Sequence, residues 1–276
     1  MSLRSRLSQF TSCDVSDALV HFGLKDGGFV PNLTQRSFRD PKIPRSGVSV
    51  VGPAYTVLYA PKSDPRPAVT ESYIDNVPEN SVLVIGLSEN QQITTAPFVT
   101  VNNALYGGLM SARAKYRNAA GSVVLGRVRD LAEHRNHGLP VWSYGVGTTA
   151  PGSVVKVVGI NVPLDVKVAS IDPTVLELET VSIRYGDLIV ADEDGVVRIP
   201  IGHETEPEAL IDIEKVMEYL PKRVDADRNV SGDIQNGRGA AESQKFWRKP
   251  DRVIQLDGKR IDTVNELILI IYGPCF

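Results

Sequence analysis

The stretch Gly107 to Asp130, GGLMSARAKYRNAAGSVVLGRVRD, decides how this chain is to be read. Two glycines open it and an Arg-Asp pair closes it. Between them, Leu109 to Arg117 is spaced like a helix, Asn118 to Gly121 is a break, and Ser122 to Leu125 is a β-branched run typical of a buried strand. About eleven helical residues rise roughly 16 Å, and about six extended residues returning cover roughly 20 Å. The two ends of the stretch can therefore meet, with Gly107 beside Arg129. The N–H groups at a helix start lack intrahelical partners and suit a carboxylate or phosphate. Arg129 adds a fork of donors for the same anion, and Asp130 can offer oxygen to a hard divalent cation. Spacing alone leaves open the plainer alternative of a turn followed by a surface ion pair.

Working outward, Ser12 to Phe22 predicts a helix with Thr11 or Ser12 as its cap, Asp14 in its first turn and Gly23 as its stop. Lys25 to Gly47 lacks a period and predicts a loop. Val48 to Val51 and Ala54 to Tyr59 predict strand segments broken at Gly52-Pro53, and Ser81 to Ile85 a buried strand. Gly86 to Tyr106 is polar and leads straight to the glycine pair, which places it beside a pocket. Leu131 to His137 predicts a helix stopped by Gly138. His134 and His137 share a face of it, but no third ligand is evident and a hard-oxygen site suits Asp130 better. From Ser153 to Pro200 the pattern is strand and turn, with a hairpin at Asp194-Gly195; Asp192, Glu193 and Asp194 read as turn residues rather than ligands. Thr205 to Glu208 reads as a capping box before a closing helix striped by Leu210, Ile213, Met217 and Leu220.

Composition narrows the function classes. With 30 basic and 33 acidic residues the net charge is −3, and no long basic run predicts a nucleic-acid partner. Two cysteines cannot build a disulfide framework, and no run reaches the length of a membrane span. The expectation is a cytoplasmic chain without a membrane partner. Alternating helices and strands followed by consecutive strands predict a mixed, layered α/β domain.

The quoted stretch, followed by LAEHRNHGLPVWSYG (131–145) and later by YGDLIVADEDGVVRIP (185–200), resembles the RraA-like family. SCDVSDAL (12–19), GPAYTV (52–57) and VMEYLPKRVDADRNVSGDIQNG (216–237) fit the same pattern in the same order. That family includes 4-hydroxy-4-methyl-2-oxoglutarate aldolases, oxaloacetate decarboxylases and the regulator of ribonuclease activity A. The resemblance implies an RraA-like domain over residues 1–249, with 250–276 as an extension. It implies a β/β/α sandwich of the swivelling phosphohistidine-domain type, assembled as a homotrimer or hexamer. It further implies a lyase that cleaves a C–C bond of a 2-oxo acid carrying a second carboxylate, and releases pyruvate through a metal-stabilised enolate. Carried over by position, Gly107, Gly108, Leu109, Met110 and Arg129 hold the substrate, Arg129 and Asp130 are catalytic, and Asp130 holds Mg²⁺ or Mn²⁺. One departure stands out: many aldolases of the family have an acidic residue 21 positions before the arginine, where this chain has Gly108. A general base would then come from elsewhere, with Glu89 or a neighbouring chain as candidates. The alternative is a non-catalytic binding or regulatory protein. A methyltransferase ranks last, for want of a glycine-rich S-adenosylmethionine loop.

Overall fold

The computed structural model describes residues 1–38, 48–170, 172, 174–201, 211–248, 254–256 and 259–261. The chain forms two compact units, Met1–Leu220 and Pro221–Phe276.

The first unit opens with α1 (Leu3–Leu7) and α2 (Ser12–His21), followed by the short strands β1 (Phe29–Val30) and β2 (Thr34–Ser37). β3 (Val50–Pro61), β4 (Val82–Leu87) and β5 (Ala104–Tyr106) lead to α3 (Gly108–Tyr116), β6 (Gly121–Val128), α4 (Leu131–His137) and β7 (Val141–Val146). The strands β8 (Val155–Ile160), β9 (Leu164–Ala169), β10 (Leu178–Ile183), β11 (Leu188–Ala191) and β12 (Val196–Ile199) follow, and α5 (Ile213–Gln235) begins in this unit.

One sheet runs in the order β1-β12-β11-β3-β4-β6-β7-β2, with β5 added to β6 and β8 to β3. β3, β4, β6 and β7 are mutually parallel, so their carboxyl ends share one edge of the sheet. The β6–β7 connection passes through α4, and α3 precedes β6. Alternation along β4 explains the layering: Leu83, Ile85 and Leu87 face one cluster, Val82 and Val84 another. The first cluster takes in Ala114 of α3, Leu139 after α4, and Tyr73 and Ile74. The second packs Val123, Leu125 and Trp142 against Leu164, Val166, Val181 and Ile183 of the β9–β10 hairpin and against Ile189 and Val196. A helix layer, the parallel strands and a second β layer result, the expected β/β/α arrangement. Because both faces of β4 are covered, each buried Leu or Ile there contributes about 1.5–3 kcal/mol. A third cluster joins Leu7, Val15 and Leu19 of α1 and α2 to Val190, Val197 and Ile199, with Val216, Met217 and Leu220 of α5.

Several expectations are corrected. β3 runs unbroken through Gly52-Pro53. Gly52 is needed there for close approach, since a Cβ would strike the Asn80 carbonyl oxygen. The 25–47 loop contains β1 and β2; β2 is an edge strand paired with β7, held by polar bonds that leave no apolar period. Ser37 Oγ donates to the Leu139 carbonyl at 2.8 Å, and Arg36 Nε donates to Ser143 Oγ at 3.1 Å. The polar run before Gly107 ends in β5, whose three residues are buried. The predicted capping box at Thr205 lies outside the described residues. The helix after Thr11, the Asp194-Gly195 hairpin and the helix 131–137 stand as expected.

In the second unit, the rest of α5 and α6 (Ala240–Trp247) are followed by a small antiparallel pair, β13 (Ile254–Leu256) with β14 (Lys259–Ile261). Asp233 organises the α5–α6 corner: Ser243 Oγ, Trp247 Nε1 and Arg238 Nη1 each donate to its Oδ2 at 2.8 Å. No described helix is long and apolar enough to cross a membrane.

Candidate functional site

β6 delivers Arg129 and Asp130 to the carboxyl edge of the parallel strands, the usual place for ligands in such sheets. β5 runs parallel beside β6, pairing Tyr106 with Val128, and the Arg129 N–H donates to the Tyr106 carbonyl at 3.0 Å. The next residues, Gly107 and Gly108, begin α3. The two ends of the quoted stretch therefore meet, as the lengths of helix and strand predict.

The contact is close. The Gly108 N–H donates to Asp130 Oδ2 at 3.1 Å, and Arg129 Nε lies 3.4 Å from the same oxygen. A Cβ on Gly107 would stand 2.8 Å from Asp130 Oδ2 and 3.2 Å from Arg129 Nε, so the bare backbone is what admits both side chains. The N–H groups of Leu109 and Met110 have no acceptor among the described residues, which leaves two donors open beside the Arg129 guanidinium. Arg129 Nη1 donates to the Thr148 carbonyl at 3.3 Å, which orients the guanidinium while both charged side chains stay about one-third exposed. Leu109 is exposed on the same first turn, and Met110 is half buried against the first core cluster.

Asp130 has φ 61° and ψ 46°, the left-handed region, at the cap of α4. A non-glycine residue held there costs of order 1–3 kcal/mol and marks places where geometry is imposed. Its side chain makes no cap hydrogen bond and turns to α3 instead. Glu133, in the first turn of α4, lies against Gly108, where the sequence suggested a missing acidic group.

Other candidates fall elsewhere. His134 is fully buried and stacks on the Tyr106 ring at 5.5 Å, a core position rather than a ligand position. Burial lowers its pKa. Burial likewise raises that of Tyr106, whose hydroxyl accepts from Ser122 Oγ at 3.0 Å. Glu89 pairs with Lys167 at 3.5 Å and lines a separate cavity of about 600 Å³ with Asp64, Arg66 and Asp165; Gly107, Gly108, Arg129 and Asp130 do not line it. Asp192 accepts from Ser12 N and Ser12 Oγ at 2.6 Å each, a structural tie between a hairpin turn and α2.

No group of three or more His, Cys, Asp or Glu side chains forms a cation cage among the described residues. Asp130 with Glu133 nearby is an all-oxygen donor set of low number. It fits a hard cation that keeps several waters and takes further ligands from its substrate, as Mg²⁺ does. Thiolate- or imidazole-seeking metals would find nothing to bind here.

Comparisons with known proteins bear on the family and the fold. The RraA-like family description, Aldolase/RraA, matches residues 12–198. Protein DlpA of Legionella pneumophila is 30% identical over 202 residues, 72% of this chain and 28% of DlpA. A Halalkalibacterium halodurans protein named "Putative 4-hydroxy-4-methyl-2-oxoglutarate aldolase" is 30% identical over 155 residues, 56% of this chain and 61% of that protein. The chain thus matches less than two-thirds of the length of either relative. Among solved structures, an uncharacterized Pseudomonas syringae protein aligns with TM-score 0.63 at 22% identity, covering 88% of this chain and 96% of the other. Streptomyces coelicolor RraAS2, described as an unusual member of the RNase ES inhibitor RraA protein family, aligns with TM-score 0.57 at 21% identity, covering 86% and 96%. These two share the fold. With the match running from α2 to the last strand of the sheet, and through every residue of the Gly107 to Asp130 stretch, the chain belongs to the RraA-like family.

Proposed function

We propose that this chain is a divalent-metal-dependent lyase that cleaves a C–C bond of a 2-oxo dicarboxylic acid and releases pyruvate. 4-Hydroxy-4-methyl-2-oxoglutarate and oxaloacetate are the candidate substrates, so the activity is that of an aldolase, a decarboxylase or both. The observation that carries this reading is the meeting of Asp130 and Arg129 with the open start of α3 at Gly107-Gly108. The comparison with a protein named as an aldolase supports the same choice.

Each group has a task. Asp130, with Mg²⁺ or Mn²⁺ bound to its carboxylate, would place the cation at the carboxyl end of β6. The cation supplies Lewis acidity toward the 2-oxo acid. Arg129 holds a substrate carboxylate through its guanidinium, and the Leu109 and Met110 N–H groups face the same negative charge. Gly107 and Gly108 keep that face of the helix start bare so that substrate can approach the backbone. Homo-oligomeric assembly, as a trimer or hexamer, belongs to the same proposal.

The test is pyruvate release coupled to lactate dehydrogenase, with each substrate, in Mg²⁺ and in EDTA. Metal-only blanks and Asp130→Ala are the controls. Turnover above the blank that EDTA and Asp130→Ala both abolish supports the lyase, and the ratio of the two substrates separates aldolase from decarboxylase. Wild-type rates no higher than the blank would sink it and favour a binding protein.

A further inference from the structure

Arg127 lies two residues before Arg129 and is a cation without a counter-charge. Its Cα pairs with Gly145 of β7, and its Nη1 donates to the Val146 carbonyl at 2.9 Å. Glycines at the end of β7 make room for it. A Cβ on Gly145 would stand 3.3 Å from Arg127 Nη1, and one on Gly147 would stand 3.5 Å from its Cδ. The side chain is part exposed, yet its Nε is buried with no acceptor among the described residues. A buried donor left without a partner costs about 1–3 kcal/mol. Arg66 and Arg113 each meet a carboxylate, Asp64 at 2.8 Å and Asp75 at 2.6 Å. Arg127 meets none among the described residues.

The two arginines of β6 and its exit are neighbours. Arg129 Nη1 donates to the Thr148 carbonyl, two residues beyond the carbonyl that takes Arg127. Two residues of chain span at most about 7 Å, so the forks are anchored close enough to grip the two ends of one small dicarboxylate. Arg36 continues the row, its Nη2 donating to the Tyr144 carbonyl at 3.1 Å. Among the described residues, the one carboxylate paired with any of these three guanidinium groups is Asp130, against Arg129. Such an excess of positive charge attracts an anion. Arg36 commits its donors to Ser143 and Tyr144, whereas Arg127 has most of its fork to spare.

We propose that Arg127 is a second substrate-binding residue, holding the carboxylate at the far end of the molecule from the one that Arg129 holds, and so selecting 2-oxo dicarboxylic over 2-oxo monocarboxylic acids. The inference rests on the lyase reading above and deepens it by assigning the preference for a second carboxylate to a residue of β6. A strut for the end of β7 would need Nη1 alone and would not leave Nε buried and unmet.

The test is titration calorimetry in Mg²⁺ with pyruvate and with 2-oxoglutarate, on wild type, Arg127→Met and Arg127→Lys. Neither ligand carries the 4-hydroxyl or the β-carboxylate that cleavage requires, so binding is read without turnover. Wild type is expected to hold 2-oxoglutarate more tightly than pyruvate. Arg127→Met is expected to weaken 2-oxoglutarate about 10- to 100-fold, the weight of hydrogen bonds between charged groups, and pyruvate by less than about threefold. Arg127→Lys, which keeps the charge and loses the fork, should show the same selective loss at smaller size, and it carries the comparison if melting temperatures show Arg127→Met unfolded. Equal weakening of both ligands makes Arg127 a strut for β7 and overturns the proposal, as does an unchanged 2-oxoglutarate affinity. Wild type that binds both ligands but releases no pyruvate from either candidate substrate sinks the lyase reading alone, and the affinity ratio still decides the role of Arg127. Wild type that binds neither ligand overturns both.

Discussion

Asp130 Oδ2 accepts the Gly108 N–H at 3.1 Å, binding the residue that begins one helix to the residue that caps the next. Everything charged in the candidate site is registered through that contact. Gly107→Ala is the mildest way to disturb it. Gly107 has φ −143°, so alanine brings no backbone strain, but its Cβ would press on Asp130 Oδ2 at 2.8 Å. The variant is expected to keep its melting temperature within a few degrees, while pyruvate release falls about 10- to 100-fold, as small misplacements of reacting groups cause. An unchanged rate would show that the Gly107 face is not where substrate lies.

Asp187 tests the frame. It is fully buried, accepts from Arg184 N at 2.8 Å and Ile201 N at 3.1 Å, and lies 3.7 Å from Arg198 Nη1. Asp187→Ala leaves Arg198 buried without its carboxylate, and urea unfolding is expected to show a loss of about 3–5 kcal/mol.

His134 predicts sensitivity to mild acid. Burial lowers its pKa most, and His137 adds to that, while Asp130 and the Arg129 backbone oppose. Above the ordinary value of 6.5 both folded and unfolded chains hold it neutral, and it contributes nothing to pH dependence. As pH falls below that value the unfolded chain takes up a proton that the folded chain resists, so stability drops until the lower folded value is reached. The melting temperature of His134→Phe is expected to fall less than that of wild type between pH 7 and pH 5.5.

The second unit has the opposite kind of group. Ser243, Trp247 and Arg238, in that order, hold the Asp233 carboxyl below its ordinary range. Its stabilising effect is complete above the unfolded value of 3.8 and is lost as pH falls through the lower folded one. Trp247 fluorescence is expected to shift toward the exposed form in strong acid, and Asp233→Ala to show that shift already at neutral pH.

Much of this fold can be read before any coordinates, because periodicity and punctuation are local. Gly138 stops α4, Asp194-Gly195 turns the β11–β12 hairpin, and Thr11 starts α2, each through its own backbone chemistry. The approach of Gly107 to Arg129 also follows from the rise of a helix and a strand. What could not be read depends on distant partners. Gly52-Pro53 looks like a break until the Asn80 carbonyl is seen to fill the space beside it. Thr34 to Ser37 looks like a loop because its side chains bond to the carbonyls of β7 and its flanks. Glu133 carries the signature of a cap, and only the left-handed turn at Asp130 shows that the cap is not made.

β6 has hydrogen-bonded neighbours on both sides and is buried along nearly all its length. Its amides should therefore exchange with deuterium only when the whole unit opens, whereas those of Leu109 and Met110, with no acceptor among the described residues, should exchange within seconds. The slowest protons of the unit would then lie in the strand that runs into Arg129, and the fastest just beyond Gly108, whose own N–H is held by Asp130. Ligand that engages the helix start would be visible as protection appearing at those two amides alone.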